Sequence, residues 1–98
     1  MLDIIRRPLA LRDTKDIWLY TREKWGEKQA NQYLHKLDNA INGLAVQPKK
    51  GKKADFIHKN VYLYRAQRHV ILYYFDDTTL IISRILHERM DIKRHKLQ

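Results

Sequence analysis

The chain contains no cysteine among its 98 residues. A disulfide framework and a thiolate metal site are therefore both excluded. Glycine occurs three times and proline twice, so each of these residues marks a boundary that has to be explained. No run approaches the roughly 18 apolar residues of a membrane-spanning helix. The N-terminus passes from Leu2, Ile4 and Ile5 straight to Arg6-Arg7, without the layout of a signal peptide. A Gly-rich phosphate loop, a nucleophile elbow and a Ser/His/Asp arrangement are all missing. His35, His58, His69 and His95 show no metal-ligand spacing. No metal and no cofactor are expected. These absences predict one cytoplasmic domain spanning residues 1–98, with no membrane partner.

Positive charge is abundant. Twenty Lys and Arg stand against eleven Asp and Glu, a formal charge of +9. An excess of this size favours a polyanion, the ribosome or an acidic protein as partner. It is also unevenly placed. Lys49-Lys50-Gly51-Lys52-Lys53 forms one cluster and residues 89–96 another, while Arg65, Arg68 and Arg84 lie among apolar residues.

Periodicity divides the chain into two halves. A short β-prone run, Leu2 to Arg6, ends before Pro8, which fits the first turn of a helix. Ala10, Thr14, Ile17, Trp18, Thr21 and Trp25 fall at helical spacing and predict one apolar stripe. Gly26 breaks the run. Ala30, Tyr33, Leu34, Leu37, Ile41 and Leu44 predict the face of a second helix, closed by Pro48. Together they read as an αα-hairpin whose tryptophans and Tyr33 pack in the core. Residues 49–60 read as a Lys-rich loop, either a solvated connection or a phosphate-contacting one.

Three strand-like runs follow, with tight turns at Gln67-Arg68 and Asp77-Thr78, predicting an antiparallel meander. Two-residue turns allow the faces to be counted. Tyr62, Tyr64, Ile71, Tyr73, Phe75, Leu80, Ile82 and Arg84 fall on the face that meets the helices. Val61, Leu63, Arg65, Val70, Leu72, Tyr74, Ile81, Ser83, Ile85 and His87 fall on the other. Both faces are apolar, yet one helical hairpin covers only one of them. The second must meet the C-terminal segment, another chain, or both. The alternation also leaves only Tyr74 for stacking bases on the open face.

Arg65, Ser83, Arg84, His87 and Glu88 are the candidates for chemistry. A metal-independent ribonuclease needs a base for the ribose 2′-hydroxyl, an acid for the leaving oxygen and a cation for the phosphate. His87 and Glu88 suit the proton transfers, and Arg65 and Arg84 suit the phosphate. A purely structural use of the same arginines, tying strand ends, fits equally well.

The order of features from end to end resembles the ParE-type toxins of the ParE/RelE superfamily. The resemblance rests on Trp25-Gly26, Gln29-Ala30, Tyr33, the Pro48…Gly51 loop and Tyr64-Arg65…His69-Val-Ile-Leu-Tyr-Tyr. Its most distinctive stretch is Arg84-Ile-Leu-His87-Glu-Arg-Met90-Asp91. It implies an α+β fold: an N-terminal strand and two-helix hairpin on a small antiparallel sheet, with a short C-terminal helix or tail. It implies a toxin that inhibits DNA gyrase, neutralised by a ParD-like antitoxin with a flexible acidic tail, in a higher-order hetero-oligomer. The alternatives are a RelE-like, ribosome-dependent mRNA endonuclease using Arg65, Arg84, His87 and Glu88, or an inactive homologue that retains only antitoxin binding. Val61, Leu63 and Val70 stand where the mRNA-cutting relatives carry basic residues. The antitoxin is expected on Val61, Leu63, Arg65, Leu72, Tyr74, Arg84 and Ile85. The target is expected on His87, Arg89, Met90 and Arg94.

Overall fold

The computed structural model describes residues 1–90. Strand β1 (Asp3–Arg6) leads into helices α1 (Pro8–Trp25) and α2 (Glu27–Val46). A 3-10 turn (Pro48–Lys50) and a two-residue strand β2 (Lys52–Lys53) follow. Strands β3 (Tyr62–Ala66), β4 (His69–Phe75) and β5 (Thr79–His87) complete the described chain. Among the described residues the sheet is five-stranded, in the order β1-β5-β4-β3-β2. The expected C-terminal helix or tail, with Arg94, lies outside the described residues.

Pro8 occupies the first turn of α1, where its missing N–H costs nothing. Gly26 separates the helices with a φ of 95°, a conformation that favours glycine. Ala10, Ile17, Leu37, Ile41 and Leu44 pack onto Ile71, Tyr73, Leu80, Ile82 and Ile85 of the sheet. The hairpin was expected to bury both tryptophans. Instead Trp25 is 73% exposed, because the buried side of α1 runs through Ala10, Asp13, Ile17 and Thr21. Trp18 lies partly exposed beside α2, donating its indole N–H to Asn31 Oδ1 at 2.8 Å.

The meander has the predicted turns. Ala66 pairs with His69 across Gln67-Arg68, and the Asp76 amide donates to the Thr79 carbonyl across Asp77-Thr78. The Asp76 carboxylate accepts the amides of Thr78 and Thr79, which holds its pKa below the usual value. The sheet is not purely antiparallel, however. β1 runs parallel to β5, with Ile4 opposite Leu80 and Arg6 opposite Ile82. The helical hairpin and the meander lie between these two strands in sequence, a connection long enough for parallel pairing.

The second correction concerns register. Tyr73 pairs with Ile82 but Leu72 pairs with Arg84, leaving Ser83 as an extra residue in a β-bulge. Every residue of β5 beyond Ser83 is shifted by one. Ile85, expected on the open face, therefore enters the helix-side core, and Leu86 takes its place on the other side. Ser83 itself is fully buried, which removes it from the candidates for chemistry.

The loop before β3 is not merely a solvated connection. Ala54, Ile57 and Val61 pack on Val70, Leu72 and Leu86 and cover part of the second sheet face. Its start is anchored by Tyr73. That hydroxyl donates to the Pro48 carbonyl at 2.6 Å and accepts the Gly51 amide at 3.0 Å. A Cβ at Gly51 would meet the Tyr73 hydroxyl and lie 2.9 Å from the Leu63 carbonyl oxygen. Gly51→Ala should destabilise the fold by roughly 1–3 kcal/mol through this overpacking. Tyr73→Phe should cost about 1–3 kcal/mol by stranding an amide and a carbonyl. Urea unfolding of both variants checks this; wild-type midpoints for both would refute the anchor.

Candidate functional site

The bulge determines which side chains meet at one end of the sheet. With β5 shifted, His87 pairs with His69 instead of falling on the opposite face. The two imidazoles meet edge to face, 5.4 Å between centroids. Tyr33 of α2 shares a hydrogen bond with His69 Nδ1 at 2.6 Å and accepts the Arg68 amide at 3.1 Å. The Glu88 amide donates to the Arg68 carbonyl at 3.0 Å, and Glu88 Oε2 lies 3.4 Å from Arg65 Nη1. His87 Nδ1 accepts the Arg89 amide at 3.2 Å, and the His87 carbonyl accepts the amide of Met90 at 3.0 Å. The chain therefore curls back over the β3–β4 turn as β5 ends. Gln67 in that turn has a φ of 59°, a strained conformation for a non-glycine residue, and the Tyr33 and Glu88 contacts to Arg68 hold it.

Arg84 goes elsewhere. Its Nε and Nη2 donate to Asp13 Oδ2 and Oδ1 of α1 at 2.7 and 2.8 Å. The same carboxylate accepts the Ile85 amide at 3.0 Å. β1 pairing ends at Ile82, and Asp13 takes over the outer edge of β5 just beyond. The side chains of Arg84 and Asp13 are only 12% and 10% exposed. The hydrogen bonds that Arg84 donates to Asp13 hold its guanidinium more firmly charged, raising its pKa.

Of the four residues in the ribonuclease alternative, the structure brings Arg65 and Glu88 into contact, and His87 precedes Glu88 in the chain. It commits Arg84 to Asp13. Among the residues considered for the open face, Val61, Leu72 and Ile85 are buried, Leu63 and Tyr74 are partly exposed, and Arg65 is exposed. Of the expected target contacts, Arg89 and Met90 are exposed and His87 is partly buried.

Sequence reasoning missed Tyr33, His69, Arg68 and Asp13. Asp13 had left a signal: it is an acid at helical spacing on the buried side of α1, with Ala10 and Ile17. His69 gave a weaker one as the first residue after a tight turn.

Burial, followed by the neighbouring His87, lowers the His69 pKa to about 4; Glu88 and Asp13 oppose this. The folded state thus favours neutral His69, whereas the unfolded chain takes up the proton near pH 6.5. Between these values the unfolded state binds more protons, so stability falls as pH drops from about 6.5 toward 4. His69→Gln should flatten that part of the stability profile, measured by urea unfolding at successive pH values. A wild-type slope in the variant would refute the assignment.

Removing Arg84 leaves the Asp13 carboxylate buried without its cation, so Arg84→Ala should lower stability by roughly 3–5 kcal/mol. Thermal unfolding measures this, and a variant as stable as wild type would contradict the role.

The family described as ParE toxin of type II toxin–antitoxin system, parDE, matches residues 4–92. Toxin ParE1 of Mycobacterium tuberculosis is 35% identical over 89 residues, 90% of this chain and 91% of that protein. Toxin ParE1 of Caulobacter vibrioides is 30% identical over 83 residues, covering 85% of each. Among solved structures, a chain of the chromosomal ParDE TA system from P. aeruginosa superposes with a TM-score of 0.77. That superposition covers 89% of this chain and 96% of the other, at 13% identity, and supports the fold alone. With this match over nearly its whole length, the chain belongs to the ParE toxin family of type II toxin–antitoxin systems.

Proposed function

We propose that this toxin acts by binding, inhibits DNA gyrase and so blocks replication, and is neutralised by a ParD-like antitoxin with a flexible acidic tail. The observation that carries the binding mode is the Asp13–Arg84 pair. One of the two arginines expected to clamp a phosphate, Arg84, is instead spent inside the fold. The accessible part of the second sheet face is apolar at Leu63 and Tyr74 and bordered by Arg65. Such a surface suits an amphipathic protein segment with carboxylates at its margin. The name of the P. aeruginosa ParDE system supports a ParD-like partner, and the +9 charge supports an acidic one. The toxin and antitoxin then assemble as a hetero-oligomer.

Arg89 and Met90, exposed at the end of the described chain, are the target contacts in this reading. His87 supports them through its bond to the Arg89 amide. Leu63, Arg65 and Tyr74 touch the antitoxin in this reading, with Val61 and Leu72 buried beneath that surface, while Ile85 in the helix-side core and Arg84 on Asp13 drop out of the expected set.

Purified toxin should inhibit gyrase supercoiling, and its antitoxin should restore it. Arg65→Glu should weaken antitoxin binding at least tenfold, about 1.4 kcal/mol, measured by calorimetry. Lys28→Ala, on the exposed side of α2, should leave it unchanged. Full gyrase activity at saturating toxin would overturn the target. Cleavage of ribosome-bound mRNA in the same preparation would replace it with the endonuclease reading.

A further inference from the structure

We infer that the lysine-bearing edge of the sheet, Lys49, Lys50, Lys52, Lys53 and Lys59, is a docking surface for the phosphate backbone of duplex DNA. All five side chains are exposed. The one carboxylate in residues 48–60 is Asp55, 3.8 Å from Lys53 Nζ. Lys49, Lys52 and Lys59 form no ion pair among the described residues. The cluster therefore presents net positive charge rather than an internally neutralised network.

The mounting is rigid where the charge is densest. The Tyr73 hydroxyl fastens the Pro48 carbonyl and the Gly51 amide to β4. Lys52 and Lys53 are paired with Leu63 and Tyr62 of β3. A fixed backbone lowers the ordering cost of binding. Successive strand residues point to opposite sides, so Lys52 and Lys53 flank the outer strand on both sides. Lysines on an edge also block aggregation. However, a strand of two residues needs no more than its own two, and three others surround it.

The chemistry reads charge rather than base identity. Tyr62 and Tyr64 of β3 pack against the helix-side core, and the Lys50 ammonium sits 5.5 Å from the Tyr64 ring centroid. These rings are not presented as a stacking platform for single strands. Duplex DNA offers one phosphate charge per roughly 1.7 Å of axis, the densest partner for such an edge. This inference stands on the lysine edge and does not depend on gyrase being the target.

The test is fluorescence anisotropy of full-length toxin with a labelled duplex oligonucleotide of arbitrary sequence, across a salt series. Neutralising four or five phosphates gives a slope of log affinity against log salt of about −4, a loss near two orders of magnitude between 50 and 200 mM. The K49A/K52A/K59A variant should lose at least tenfold in affinity and flatten the slope by about 2–3. Its melting temperature should match wild type, since all three side chains are exposed. The K15A/K28A/K36A variant, with three exposed lysines removed from the helices, should keep both affinity and slope. Three results would overturn the inference: no binding at 50 mM salt, equal loss in the two variants, or equal or tighter binding of a single-stranded oligonucleotide or polyglutamate of matched charge.

Discussion

The Asp13 carboxylate joins the two layers of this protein at the place where the sheet changes register. It accepts both donors of the Arg84 fork and the Ile85 amide. The strand edge it occupies begins where β1 stops, at Ile82. An amide there would otherwise face a helix with no carbonyl to accept it, and an unpaired buried amide is costly. Asp13 supplies that acceptor, and Arg84 supplies the charge that makes burying a carboxylate tolerable. The pair lies immediately beside the Ser83 bulge. Without the bulge, His87 would fall on the opposite face from His69. The cluster of Tyr33, His69, His87 and Glu88 thus depends on the bulge that lies beside the point where α1 is fastened to β5.

A fold does not by itself fix a function, so function has to be argued from side chains. In this chain the polar groups at the end of the sheet are largely engaged with backbone. Tyr33 takes the Arg68 amide, Glu88 gives its amide to the Arg68 carbonyl, and His87 takes the Arg89 amide. These contacts brace a strained turn at Gln67 and bend the chain after β5. At this end of the sheet Arg65 and Glu88 form an ion pair that reaches the surface, at 3.4 Å. A pair this exposed contributes little to stability, so it remains adaptable to a partner that brings its own charges.

The repeat of apolar residues made most of the architecture readable. Helical spacing located α1 and α2, and alternation located β3, β4 and β5 with their turns. Three features were not readable, each for a physical reason. The bulge at Ser83 carries no glycine or other local mark that would interrupt the alternation. The parallel placement of β1 depends on where the hairpin returns the chain, which periodicity does not encode. Trp25 was assigned to the core on spacing alone, although it is the last residue of α1 and the buried stripe ends at Thr21. Asp13 was the opposite case. An acid on a buried stripe demands a cation, and Arg84 supplies it from just beyond the bulge.

The second sheet face shows how far an apolar count alone can go. Counting correctly identified a surface that one helical hairpin could not cover. It did not reveal that the chain's own loop covers part of it, because Ala54, Ile57 and Val61 are spread through a segment dominated by lysine and polar residues. The loop thereby divides the face. Val70, Leu72 and Leu86 are already satisfied, while Leu63 and Tyr74 remain partly exposed. A partner that touches only the exposed part gains less apolar burial and must rely more on charge. A partner that reaches Leu72 must first lift the loop, whose start is tied to Tyr73 through both Pro48 and Gly51. That tie raises the cost of lifting the whole loop, so the economical complex adds to the exposed strip and leaves the lysine edge in place.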